Sequence, residues 1–350
     1  MSHGMLLFRE RAMGTFLRNL PSKVDFAREV AVVTGASSGI GFVIARELAK
    51  HNAKVIAFGK PTDIEAGKVA MKGGETDFNN THASGLADQG SATQIQWEAV
   101  ELSDLNEVKK ISKKLAKELD RLDILIENAG IGVMETSLTK DGYDSHLTVN
   151  NLSHIIIANQ LLPLMRKTVA LPDTKPNSVR IVGQASELHR GEKLRDVKFS
   201  DKAEFKEQIG PEANYNRTKL AVILFDKALC KNVLSPEGDK IRVYSTHPGA
   251  VATGQLEQLK TGYGIVGEAV TKAFKPLARS PDHGALCALW AAVAPDAADY
   301  KQGSYFTDPK EEGQETADGR NETLMQNFWQ NSLAIIKEVA GQDALREWHS

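Results

Sequence analysis

Val30-Ala-Val-Val-Thr-Gly35-Ala-Ser-Ser-Gly39-Ile-Gly41-Phe-Val-Ile-Ala-Arg-Glu-Leu-Ala49 carries the argument for the fold. Its first five residues are a β-branched run of the kind that fills a buried parallel strand. Its last eight read as a helix. Strand, glycine turn and helix in that order make an anion site, because free backbone N–H groups and the helix dipole face the turn. Gly35 permits the tight turn, Gly39 lets a pyrophosphate approach the backbone, and Gly41 allows the helix to pack on the strand. The spacing is G-x-x-x-G-x-G, a variant of the more familiar G-x-G-x-x-G. A glycine turn without a ligand is the plain alternative; the strand before and the helix after favour a dinucleotide.

Outward from that turn the alternation continues. Lys54–Phe58 is a second strand, ending at Gly59-Lys60. An NAD site places an acid about 20 residues beyond the glycines to bind the ribose 2′-hydroxyl. Here a glycine and a base stand there, so the position leans toward the 2′-phosphate of NADP, with Ser37 or Ser38 as competing partners for that phosphate. Residues 72–91, rich in Gly, Asn, Asp, Thr and Ser, read as a long exposed loop. A strand follows at Gln94–Leu102, then a charged amphipathic helix from Asp104 to about Asp120, and a buried strand at Leu122–Ile126 that runs into Asn128-Ala-Gly130. Ser178–Gly183 and Lys240–Thr246 are further strands. Units of this size imply an α/β fold, a doubly wound parallel sheet covered by helices on both faces.

Composition narrows the function. The 350 residues are 41% hydrophobic and 25% charged, with a net charge of −2. That balance suits a globular protein and argues against nucleic acid or an anionic membrane as partner. The two cysteines, Cys230 and Cys287, have no ligand spacing, so neither structural zinc nor a disulfide framework is expected, and a reducing, cytoplasmic setting fits. No run approaches the roughly 18 apolar residues of a membrane span. Residues 1–27 mix Met5–Phe8 with Arg9, Arg11 and Arg18 and read as a short packed helix or a frayed arm.

Chemistry concentrates at Tyr215-Asn-Arg-Thr-Lys219, which opens an apolar helix. Positions i and i+4 share a helix face, so the phenol and the ammonium point into one space. A cation there favours phenolate and lowers a pKa otherwise near ~10, which would suit proton exchange with a carbonyl oxygen.

Thr34–Gly41, Asn128-Ala-Gly130 and Tyr215–Lys219, in that order, resemble the short-chain dehydrogenase/reductase family over about residues 28–310, nearest to its retinol-dehydrogenase-like and WW-domain-oxidoreductase-like branch and fungal relatives. The resemblance implies a single Rossmann-fold domain and hydride transfer between NADP(H) and a small-molecule carbonyl or alcohol. It implies catalytic roles for Asn150, Ser186, Tyr215 and Lys219: Asn150 (with Asn151 the neighbour it could be confused with) organising a proton relay, Ser186 holding the substrate oxygen, Tyr215 exchanging the proton and Lys219 assisting it. It further implies cofactor contacts from Gly35, Ser37, Ser38, Gly39, Ile40, Gly41, Lys60, Glu101, Leu102, Asn128, Ala129, Gly130, Tyr215 and Lys219. The segment His247–Thr253 adds Pro248, Gly249, Val251 and Thr253.

The resemblance also gives a substrate lid at 254–280 and an insertion at 187–211, with a helical extension at 311–350. Glu187–Gln208 holds 12 charged residues among 22 and is read as a surface excursion, its His189 solvated and without a role. Ile155–Met165 is apolar nearly all round and must be covered on both sides; with Leu220–Cys230 it suggests a homodimer, with docking of the charged insertion as the alternative cover. An NAD-dependent dehydrogenase and a nucleotide-binding regulatory protein with little turnover stand as alternatives.

Overall fold

Val30–Val33 forms β1, and its pleat sends alternate side chains to opposite faces. Val30 and Val32 join one apolar core, while Ala31 and Val33 join another on the far side of the sheet. A strand buried on both faces must be apolar throughout, which is why this run reads so clearly. The computed structural model describes residues 26–73, 94–191, 194, 196–251 and 278–349. Most of the N-terminal segment 1–27, of the loop 72–91 and of the lid 254–280 lies outside these residues, as does Thr253.

Seven strands run parallel: β1, β2 (Lys54–Gly59), β3 (Ile95–Ala99), β4 (Ile124–Glu127), β5 (Arg180–Gln184), β6 (Arg242–Thr246) and β7 (Tyr305–Asp308). A two-residue strand, β8 (Glu311–Glu312), closes the edge antiparallel to β7. The spatial order is β3-β2-β1-β4-β5-β6-β7-β8, so the chain changes direction across the sheet between β1 and β4. Ligands in such sheets bind beyond the carboxyl ends of the strands at that reversal.

On one face lie α1 (Gly39–Lys50) and, much later, an Ala- and Leu-rich helix at Pro281–Val293. The other face carries α2 (Leu105–Glu118), α3 (Ser153–Val169, continuous with a widened turn at Thr148–Leu152), α4 (Pro211–Leu229) and α5 (Glu322–Ala340). From α5, the side chains of Leu324, Phe328, Trp329, Ile335 and Ile336 enter the same core as α3 and α4.

The cover over α3 comes from the chain itself. Ile155–Ile157, Leu161, Leu162 and Met165 are at most 1% exposed. The two polar residues midway along the helix reach the C-terminal segment: Asn159 pairs with the backbone of Arg346 in both directions (3.1 and 2.7 Å), and the Gln160 amide donates to the Ala344 carbonyl (2.8 Å). The residues of α3 that suggested a homodimer are thus buried within the chain itself.

The charged insertion differs from its reading as surface throughout. Leu194, Val197, Phe199 and Phe205 are buried, and the Phe199 and Phe205 rings pack on Phe328 of α5 at centroid distances of 4.9 and 5.9 Å. Arg217, inside the Tyr–Lys motif, is buried and donates to the carbonyls of Glu204 and Glu207, each at 2.9 Å. The insertion is therefore bolted onto α4 through Arg217, with Leu194, Val197, Phe199 and Phe205 buried, while Leu188 stays exposed.

One buried feature makes stability depend on pH. Glu127, at the end of β4, and Asp226, on α4, are buried carboxyls that no ion pair reaches among the described residues. Asp226 accepts from the Ser245 hydroxyl at 2.6 Å, while Glu127 Oε1 and Asp226 Oδ1 lack donors. Burial raises each acid, Asp226 to about 8, and the charge of Asp226 lifts Glu127 further. In the unfolded chain both ionise near ~4, so this pair's contribution is fully present below that pH and is lost as pH rises through about 8. One proton corresponds to about 1.4 kcal/mol per pH unit, so wild type should lose about 2–3 kcal/mol, a few degrees in Tm, between pH 6 and 8 on this account. Asp226→Asn should flatten that slope in thermal denaturation; identical slopes for the two proteins would show that the pair does not titrate in this range.

Candidate active site

Two turns interlock at the carboxyl ends of β1 and β4. Gly35 and Gly39 have φ of +65° and +58°, a left-handed backbone that suits glycine. The Asn128 side-chain amide donates to the Thr34 carbonyl (2.9 Å), and the Thr34 hydroxyl accepts from the N–H groups of Asn128 and Ala129 (both 3.0 Å). Gly41 faces this junction so closely that a Cβ would stand 2.3 Å from both the Gly35 oxygen and Asn128 Nδ2. Ser38 precedes α1 in an extended conformation without capping it through its side chain, which leaves the first N–H groups of α1 to another acceptor.

A cleft of about 620 Å³ opens above these turns. Of the sequence-predicted residues, Gly35, Ser37, Ser38, Gly39, Ile40, Lys60, Glu101, Leu102, Asn128, Ala129, Gly130, Tyr215, Lys219 and Pro248 line it. Gly41 supports it from behind. Gly249, with φ +81°, lies against the Arg279 side chain, and Val251 packs on Gly284 and pairs with Arg279 across a short bridge. Asn150 stands beside Gly130: its amide donates to the Ile131 carbonyl (3.0 Å) and the Thr218 hydroxyl (2.9 Å), and its oxygen accepts from Ile131 N–H (2.7 Å). Asn151 instead turns to the Thr218 carbonyl (3.1 Å), which separates the two neighbours. The widened turn that carries Asn150 is of a kind frequent at functional sites.

Ser186, just past β5, and Tyr215, on α4, bring their hydroxyls near each other, and both are buried. The Lys219 ammonium donates to the Gln184 carbonyl (2.7 Å) and lies 5.4 Å from the centre of the Tyr215 ring. Spacing alone predicts a phenol pulled down by this cation. Burial instead raises Tyr215 to about 12, with the neighbouring Ser186 hydroxyl opposing it, and burial lowers Lys219 to about 8. Desolvation sets the direction because the phenol is buried to 8% exposure, which an i, i+4 pattern does not reveal.

Behind Ser186 stands a shell that sequence reasoning missed. His189 is 1% exposed, not solvated; its Nδ1 pairs with the Ser186 carbonyl (2.6 Å) and its ring meets Tyr305 edge-on at 5.2 Å. Tyr305 donates to Glu187 (2.8 Å), and the Glu187 N–H donates to His247 Nδ1 (3.2 Å). Asp63, Met134, Leu138 and Gln184 also line the cleft. Their signal is positional, since each follows a parallel strand at its carboxyl end.

The sequence matches the profile of the short chain dehydrogenase family over residues 29–182. It is 30% identical over 331 residues to bli-4, a mitochondrial protein of Neurospora crassa whose name classes it with the oxidoreductases, covering 93% of this chain and 76% of that one. Retinol dehydrogenase 12 of Mus musculus is 28% identical over 315 residues, covering 90% of this chain and 88% of its own. Among solved structures, a Beutenbergia cavernae protein described as an NAD(P)-dependent gluconate 5-dehydrogenase, with NADP bound at low occupancy, superposes with a TM-score of 0.55 at 25% identity, over 82% of this chain and 97% of that one. No described helix is long and apolar enough to cross a membrane, and no described group of His, Cys, Asp and Glu is placed to hold a metal.

Proposed function

This chain belongs to the short-chain dehydrogenase family, and from that premise we propose that it binds NADP(H) and interconverts a carbonyl with an alcohol. The observation that carries the reading is that Tyr215 and Lys219, with Ser186 beside Tyr215, border the same cleft that the glycine turn lines. The residues fit a dinucleotide. The N-terminus of α1 and the turn at Gly35–Gly41 would take the pyrophosphate, and Lys219 would hold the nicotinamide ribose. When bound, the nicotinamide supplies or accepts the hydride.

The chain's own groups handle the oxygen and the proton. Ser186 would hold the substrate oxygen by hydrogen bonding, and Tyr215, neutral at physiological pH, would donate the proton in reduction and recover it in oxidation. Lys219, already brought down to about 8, would favour the transient phenolate electrostatically and exchange protons with the Asn150 side of the site.

Cofactor choice rests on the end of β2. A Cβ at Gly59 would come within 2.9 Å of Ile64 Cγ1 and 3.3 Å of Ser37 Cβ, so an acid cannot be seated there without displacing its neighbours. Lys60 is exposed at the same end of the cleft. A charge-assisted contact from it to a 2′-phosphate is worth about 1.5–3 kcal/mol, which corresponds to a preference for NADPH over NADH of roughly ten- to hundredfold. Lys60→Ala should shrink that preference by weakening NADPH, with NADH hardly affected, in titrations of both cofactors. A second reading, NAD, draws on Asp63, whose carboxylate stands at the same end of the cleft and accepts from Thr62 Oγ1 at 2.7 Å. Equal dissociation constants for the two cofactors in wild type would promote it.

A further inference from the structure

His154 is a buried histidine with no part in the chemistry described so far, and both of its ring nitrogens are engaged. Nε2 lies 2.9 Å from the Thr34 hydroxyl, and Nδ1 lies 2.9 Å from the main-chain carbonyl of Asn150. The protons can be assigned by counting. The Thr34 oxygen already accepts two backbone N–H bonds, from Asn128 and Ala129, which fill its two lone pairs. Its one proton faces two acceptors, His154 Nε2 at 2.9 Å and the Ile126 carbonyl at 3.3 Å, and the latter already receives the Thr34 N–H. A protonated Nε2 would leave this hydroxyl oxygen accepting three bonds. Nε2 is therefore the acceptor, the proton sits on Nδ1, and Nδ1–H donates to the Asn150 carbonyl. Burial, assisted by the nearby charge of Lys219, holds the ring neutral, since its pKa falls to about 4.

We propose that His154 is a positioning residue: its Nδ1–H fixes the Asn150 carbonyl, and its Nε2 fixes the Thr34 hydroxyl that anchors the Asn128–Ala129 turn. The inference rests on the reading of Asn150 and of that turn given above. The two halves of the ring then govern different steps. The Nδ1 half orients the residue assigned to the proton relay and bears on kcat. The Nε2 half, through Thr34, holds a wall of the cofactor cleft and bears on cofactor affinity.

Two substitutions separate these halves. In His154→Asn the amide nitrogen takes the place of Nδ1 and keeps the donor to Asn150. In His154→Gln the longer amide reaches the place of Nε2, where its oxygen accepts from Thr34. His154→Leu removes both contacts, and at about 1–1.5 kcal/mol each it should lower kcat and raise the NADPH dissociation constant by about tenfold apiece. The Asn variant should recover kcat but not affinity, and the Gln variant affinity but not kcat. Nitrogen-15 spectra of the cofactor-free protein should show the neutral Nδ1–H tautomer. An Nε2–H tautomer, an unchanged Leu variant, or equal loss of both parameters in the Asn and Gln variants would overturn the proposal. If the Leu variant does not fold, the Asn and Gln pair decides alone. A wild-type protein that binds neither cofactor would instead defeat the functional reading, while the tautomer would still report on the ring.

Discussion

Tyr215→Phe should lower turnover by about 10² to 10⁴ while leaving cofactor affinity close to wild type. The phenol oxygen is the atom at stake. It lies near the Ser186 hydroxyl in a buried setting, and phenylalanine keeps the ring that faces Lys219 at 5.4 Å while deleting only that oxygen. Fold and cofactor cleft should therefore persist, and the loss should fall on kcat. Because burial holds the phenol near 12, its neutral form is the one available across the physiological range. The proton is thus always loaded for reduction, whereas oxidation must wait for Lys219 to favour phenolate. Reductive and oxidative rates followed by nicotinamide absorbance, beside cofactor titrations, make the measurement. Retention of most activity would reduce Tyr215 to a packing residue.

Gly41→Ala should cost about hundredfold in cofactor affinity. The added methyl would stand 2.3 Å from the Gly35 carbonyl oxygen and from Asn128 Nδ2, far inside contact distance. The Asn128 amide could swing away only by giving up its bond to Thr34 at 2.9 Å, and the Gly35 carbonyl belongs to the turn itself. Relief must come from moving α1 off β1, and losing one or two charge-assisted hydrogen bonds to the pyrophosphate, at about 1.5–3 kcal/mol, corresponds to a loss of that order. Gly142→Ala serves as the control. A Cβ there meets nothing within 4 Å, so only backbone strain at φ +79° is added. Wild-type affinity in the Gly41 variant would mean that the turn is not the phosphate cradle.

Much of this architecture is legible because local and global demands coincide. Val30–Val33 and Ile124–Glu127 are buried on both faces, so each residue of these strands reports its burial, and the glycines of the first turn are required by backbone geometry that no other residue meets cheaply. Legibility fails where contacts are made at long range. Glu311–Glu312 forms a strand with both residues exposed, leaving no apolar signal. Phe199 and Phe205 are hidden among charges because their partner, Phe328, lies more than a hundred residues on. His189 looks solvated until Tyr305 is brought beside it. The Tyr215–Lys219 spacing does put cation and phenol together, yet the direction of the phenol's shift is set by enclosure, which belongs to the assembled fold.

The closure of α3 by the C-terminal segment bears on how the molecule is made. Asn159 and Gln160 find their partners 187 and 184 positions later, and Arg166 reaches the Trp348 carbonyl across 182. Synthesis delivers this largely apolar helix long before the residues that finish covering it. Until residues 344–348 leave the ribosome, the nascent protein carries a partly uncovered hydrophobic face of the kind that chaperones retain. Contacts of such separation also delay the final step, because a large loop must close before any of them forms. Commitment to the native state is thereby tied to synthesis of residues 344–348, and a product lacking them would be one for degradation.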